Sequence, residues 1–171
     1  MKNTIGFLNG EAVHLGEDVW RLATSGQVIE KGILTLPAWR SLAMSGDVDR
    51  TQYGVLLEPD DDPLVLQDSI SLIPIIALRF PSFRDGRAYS QASLLRTRYH
   101  FQGDLRAIGD VLRDQLILMR HCGFSSFTVR EDKSVADALK GLAGFDRIYA
   151  RSVTQPEPRF RQRSSGFQHG G

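Results

Sequence analysis

From residue 54 onward, short apolar runs alternate with segments of helical period, and this alternation restricts the fold more than any other feature of the chain. The run 75–80 is apolar at successive positions rather than at every second one. A strand of that kind has both faces covered, as in a parallel sheet. Further strands are expected at 54–57, 105–108 and 124–129, with a short one at 146–149. Between them the helical signals are specific. Asp62-Pro63 places an N-cap before a proline at the first helical position, and Pro74 ends that helix. A second helix starts at Asp85 or Gly86 and runs to about Tyr99, with Ala88, Ala92, Leu95 and Tyr99 on one face. Asp110 is read as the N-cap of a third helix, which carries Leu112, Leu116 and Met119 inward and ends at Gly123. Ser134 caps a fourth helix, to about Ala143.

Repeated βα units of this length imply right-handed crossovers and a mainly parallel sheet of four to five strands. The class is α/β, either an open sheet or a half-barrel. Residues 1–50 read as a β-rich extension packed on this core. Asn9-Gly10 suits a tight hairpin turn between 4–8 and 11–15. Residues 17–22 are a short helix or a loop carrying Trp20, and Pro37 opens a helix to Met44. Trp20 and Trp39 are expected as core anchors. The organisation is therefore an extension over 1–50, a core domain over 51–150, and a basic, poorly hydrophobic tail over 151–171.

A net charge of +1 argues against nucleic acid and anionic membranes as partners. The single cysteine, Cys122, excludes an internal disulfide and a cysteine-held metal or iron–sulfur site. The longest apolar run is too short to span a bilayer, and no basic-then-apolar leader opens the chain, so a cytoplasmic protein is expected. No glycine-rich dinucleotide or phosphate loop is present, the four histidines lack metal-ligand spacing, and no serine lies in a nucleophile-elbow context. No cofactor is expected.

Charge is nonetheless polarised along the chain. Residues 47–68 carry seven acids against Arg50, and residues 79–130 carry nine arginines against four acids. In a parallel α/β sheet, residues that follow the strands share the carboxyl edge, where ligands dock. That rule brings 58–62, 79–87, 109–113 and 130–132 together. Asp85, Arg87, Asp110 and Arg113 there form a structural ion-pair network, a site for a small anion, or a surface for an acidic partner. Asp60, Asp61 and Asp62 read as a solvated helix start in preference to a magnesium site.

The strings Gly54-Val55-x-Leu57-x-Pro59, Asp61-Asp62-Pro63, Pro74-Ile75-Ile76-Ala77-Leu78-x-Phe80-Pro81-x-Phe83-x-Asp85-Gly86-Arg87-x-Tyr89-Ser90, Gly109-Asp110-Val111-Leu112-Arg113-Asp114-Gln115 and Cys122-Gly123-Phe124 carry a family resemblance. They resemble a bacterial domain family of unknown function whose members are typically encoded beside assimilatory sulfite reductase, some labelled oxidoreductase. The likeness covers 54–149. It implies an accessory role in sulfate assimilation, by docking to sulfite reductase or its electron donor, and no catalytic residues can be carried over from it. The alternatives are an enzyme or sensor that binds a small oxyanion such as sulfite, and a purely structural module. The candidate binding surface consists of Arg79, Asp85, Arg87, Tyr89, Asp110, Arg113, Asp114, Gln115 and Arg130.

Overall fold

The computed structural model describes residues 1–142 apart from 9–10, 17, 25–27 and 47. The expected turn at Asn9-Gly10, the strand at 146–149 and the basic tail lie outside the described residues. Eight strands form one sheet: β1 (Thr4–Leu8), β2 (Glu11–His14), β3 (Arg21–Leu22), β4 (Gly32–Thr35), β5 (Gly54–Leu57), β6 (Ile75–Phe80), β7 (Asp104–Gly109) and β8 (Ser126–Thr128). Their order is β2-β1-β8-β7-β6-β5-β4-β3. From β3 to β8 every strand lies parallel to its sequence neighbour. β1 is antiparallel to both β8 and β2. The α/β class and the mainly parallel sheet stand, and with the N-terminal strands in it the sheet counts eight among the described residues.

Successive parallel neighbours joined by right-handed crossovers place every helix on one face, and the sheet curls into a half-barrel. Four α-helices follow strands: α1 (Leu36–Met44), α2 (Arg87–Thr97), α3 (Leu116–His121) and α4 (Val135–Leu142). Their buried residues, among them Trp39, Ala92, Leu95, Met119 and Leu142, meet Leu34, Val55, Leu57, Ile76, Leu78, Leu105 and Phe127 in the main core. Alternate residues of the same strands point to the concave face. Ile33, Leu56, Ile75, Ala77 and Ile108 form a second apolar cluster there, covered by Met1 and Trp20. The strands are thus apolar on both faces because helices cover one and the N-terminal segment covers the other.

Two local expectations change, and one alternative left open is decided. Residues 63–72 form a ten-residue 3-10 helix rather than an α-helix, capped by Asp62, whose carboxylate accepts from the Leu64 N–H at 2.9 Å. Pro63 and Leu66, three apart, are its buried residues, while Leu64 is exposed. A threefold helix suits that spacing. Residues 18–20 run as a loop into β3, with the Lys31 ammonium 5.5 Å from the Trp20 ring. Finally, Asp110 does not cap α3. The chain bends at Gly109-Asp110, is extended at Leu112, makes one 3-10 turn at Arg113–Gln115, and only then enters the helix.

Candidate functional site

The carboxyl ends of β5, β6, β7 and β8 form one rim, and the turns that leave them carry most of the residues singled out above. β6 ends at Arg79-Phe80, with alternation sending Phe80 into the helix-side core and Arg79 to the concave face. Arg79 Nε donates to Glu58 Oε1 at 2.8 Å across the β5–β6 pair. β7 ends at Gly109, which has φ +95°, and a Cβ there would sit 2.3 Å from the Phe80 carbonyl oxygen. Glycine is required by both counts. This turn throws Asp110 across to the neighbouring loop, where it does not face its own helix.

Each of three arginines on the rim is tied to carboxylates. Arg87 pairs with Asp85 (Nε–Oδ1 3.0 Å, Nη2–Oδ2 2.6 Å) and also with Asp60. Arg130 grips Asp132 through Nε and Nη2 at 2.9 and 3.0 Å, and its Nη1 donates to Asp110 Oδ1 at 2.8 Å. Arg79 uses only Nε, and its terminal amino groups make no hydrogen bond among the described residues. Hydrogen bonds from Arg87 hold the Asp85 carboxyl below the usual carboxylate range. The Phe83 peptide N–H, followed by Arg130, does the same for Asp110. The carboxylates in turn hold the Arg87 and Arg130 guanidiniums above their ordinary value.

The loop 81–86 is clasped from both sides of one residue. Phe83 N–H donates to Asp110 Oδ2 at 2.8 Å, and Gln115 Nε2 donates to the Phe83 carbonyl at 2.6 Å. The side chain of Phe83 stays 43% exposed, with the Arg84 guanidinium 5.4 Å from its ring. Gln115 therefore belongs to the rim by a backbone contact. Arg113 and Asp114 are exposed and enter no ion pair among the described residues. The Arg113 stem runs beside Gly141 of α4, where an added Cβ would lie 2.8 Å from Arg113 Cγ.

Tyr89 stands apart from this rim. It sits in the first turn of α2 with its ring 5.2 Å from Phe80, edge-on, and it lines a shallow hollow of about 420 Å³ with Ser90, Ser93, Leu94, Thr97 and Cys122. Burial pushes both the Tyr89 phenol and the Cys122 thiol up, so neither is ionised at neutral pH as a nucleophile would need to be. A second hollow, of about 470 Å³, opens at the rim between Arg79, Phe80, Pro81, Gly109, Asp110 and Arg130. Among the described residues no three His, Cys, Asp or Glu side chains are placed to share a metal ion, and no helix is long and apolar enough to cross a membrane.

Residue patterns missed two contributors. Gln91 is 6% exposed, and its Nε2 donates to the Glu58 and Asp61 carbonyls at 2.9 and 2.8 Å, pinning the loop that carries Glu58 and Asp60. Its place on the α2 face beside Ala88, Ala92 and Leu95 was the available signal. Phe83 is the other, an apolar residue flanked by polar ones in a turn.

No curated protein and no solved structure matches this chain. A family model does match, over residues 54–160, which takes in the 3-10 helix, the whole rim and the loop around Phe83. The chain belongs to the family described as bacterial protein of unknown function (DUF934).

Proposed function

We propose that this protein is an accessory protein of assimilatory sulfite reduction, which docks through the carboxyl rim of its half-barrel to sulfite reductase or to its electron donor. The gene neighbourhood implied by the shared strings supports the pathway. One observation supports docking over chemistry: two arginines of the rim are already neutralised by its own carboxylates. Arg87 and Arg130 each hold two carboxylates, so they shape loops rather than wait for an anion. Among the described residues of the rim no nucleophile faces a general base. A surface of fixed loops with half-exposed ion pairs is what a recognition face requires, because little conformational freedom is left to lose on binding.

The experiment is deletion of the gene followed by growth with sulfate or with cysteine as the sulfur source. A defect on sulfate that cysteine repairs is expected, together with co-purification of sulfite reductase or its donor with the tagged protein. Normal growth on sulfate overturns the pathway. Arg113→Glu is the cleanest rim variant for the co-purification, since Arg113 enters no ion pair among the described residues.

A second reading has its own observation. The hollow at the rim presents the unoccupied terminal amino groups of Arg79, a fork that suits a small oxyanion such as sulfite. Calorimetric binding of sulfite by the isolated protein, lost in Arg79→Gln, would carry that reading. Absence of heat with both sulfite and sulfate would remove it.

A further inference from the structure

We infer that Phe83 and its two arginine neighbours, Arg84 and Arg113, are the anchor of the docking face, and that the partner is a protein offering an apolar socket edged with carboxylates. The inference rests on the docking reading above and specifies which part of the rim makes contact and with what.

A lone exposed apolar residue ordinarily needs no explanation. Phe83 differs in how it is held. Asp110 accepts from its N–H, Gln115 donates to its carbonyl, and Asp110 is itself fixed by Arg130. The loop is further tightened by Asp85 N–H to the Ser82 carbonyl at 2.9 Å and by Arg84 N–H to Ser82 Oγ at 3.3 Å. Two side chains from another turn thus fix the peptide groups on either side of an aromatic ring that is 43% exposed and has the Arg84 guanidinium beside it. A rigid, protruding aromatic beside arginine is the composition of interface anchors, and its fixed backbone removes an ordering cost at binding.

Charge selects the partner. Arg84 and Arg113 form no ion pair among the described residues, whereas Arg79, Arg87 and Arg130 all do. The unpaired positive charge of the rim is therefore concentrated around Phe83 and the turn that clasps it, where Asp114 is the one exposed acid. The wider rim has the opposite sign. Its four turns (58–62, 79–87, 109–115 and 130–133) hold nine carboxylates against six cations. An extended polyanion such as a nucleic acid, or an anionic membrane, would meet that net negative rim and be repelled. A protein socket with a few carboxylates at its mouth meets only the local positive patch.

The test places a photo-reactive benzoyl-phenylalanine at position 83 of the full chain in cells, with control insertions at Asp60 and Glu131 on the same rim. Expected is one protein adduct at 83, weak or absent at the controls, whose cross-linked segment is apolar with flanking Asp or Glu. With that protein purified, Phe83→Ala, Arg84→Glu and Arg113→Glu each weaken binding about tenfold or more, as an anchor would. Arg87→Ala, with an unchanged unfolding midpoint, does not. An adduct with sulfite reductase or its donor supports both this inference and the pathway. An adduct of the stated chemistry with another protein keeps the anchor and removes the pathway. No adduct at 83, equal adducts at all three positions, an adduct with nucleic acid, lipid or a second copy, or binding indifferent to the three variants overturns the inference.

Discussion

Arginine meets carboxylate in two regions of this molecule, and the two differ chiefly in water. On the concave face Arg106 is buried, its side chain 2% exposed, with Nη1 to Asp18 at 2.5 Å, Nη2 to Asp104 at 3.0 Å and Nε to Ser126 Oγ at 2.9 Å. Asp18 is 3% exposed and also takes the N-terminal ammonium at 3.2 Å. On the rim the pairs of Arg87 and Arg130 have comparable lengths, but the two arginine side chains are about half in solvent, Asp85 and Asp110 keep some exposure, and Asp60 is 90% exposed. Geometry alone would rank the two regions together. Solvation separates them, because removing one partner of a buried pair strands a charge, whereas water takes up the survivor of an exposed one.

The largest effect therefore belongs to the concave face. Asp18→Ala leaves Arg106 and the terminal ammonium short of a carboxylate and unfastens the segment that covers Ile75, Ala77 and Ile108. A loss of about 3–5 kcal/mol is expected in denaturant-induced unfolding. Adding Arg106→Met to Asp18→Leu recovers part of it, since the guanidinium goes with its carboxylate, while the terminal ammonium still lacks its partner and Asp104 keeps Ser125 and Ser126. A double variant as unstable as the single would show that the cluster acts through shape and not through charge.

Gln91→Ala comes next. It removes a buried amide, leaves the Asp61 carbonyl without that donor and takes one of two donors from the Glu58 carbonyl, at a cost of about 1–3 kcal/mol. The readout specific to its clamping role is hydrogen exchange at the Asp61 N–H, which bonds the Glu58 carbonyl at 3.0 Å and should exchange faster in the variant. Unchanged exchange with lost stability would make Gln91 a packing residue only.

Legibility in the sequence follows the same division. Periodicity identified β5, β6, β7 and the cores of α2 and α4, because the helix-side core depends on which residues recur and at what spacing. Gly123, at φ +110°, closes α3 where a C′ glycine was expected. Ser134 caps α4, its Oγ accepting from the Asp137 N–H at 3.3 Å. The turns that form the rim followed from the parallel order alone. What each charged residue does there did not follow. Asp110 has the composition of an N-cap, but the left-handed Gly109 and a Val111 N–H to Gly109 carbonyl contact at 2.9 Å turn it toward another loop. Arg106 read as one polar position in a strand, since its partner Asp18 lies 88 residues away in a segment without periodic signal. Partners at that separation leave no local pattern.

Acid should unfold the rim by a path the concave cluster does not dictate. Asp85 and Asp110 have carboxyls held below the ordinary value of about 3.9, so the unfolded chain takes up their protons first as pH falls. Their contribution is complete above that value and fades as pH drops through the lowered one. The unfolding midpoint of the unmodified protein should therefore fall more steeply below about pH 5 than that of Asp110→Asn, whose amide cannot titrate. Parallel curves would mean that Asp110 gains nothing from its contacts with Phe83 and Arg130.

The smallest effect is also the sharpest test of the comparison. Arg87→Ala deletes two ion pairs, as many as any single rim substitution, yet it strands no fully buried charge: Asp85, its side chain 16% exposed, keeps the Arg87 peptide N–H at 3.1 Å and gains water where the guanidinium lay, and Asp60 is already in solvent. Its unfolding midpoint should stay within the scatter of ordinary surface substitutions, and added salt should scarcely separate it from the unmodified protein. If Arg87→Ala proved as damaging as Asp18→Ala, the rim would be a structural brace like the concave cluster, and the case for its being a recognition face would fall with the distinction between the two regions.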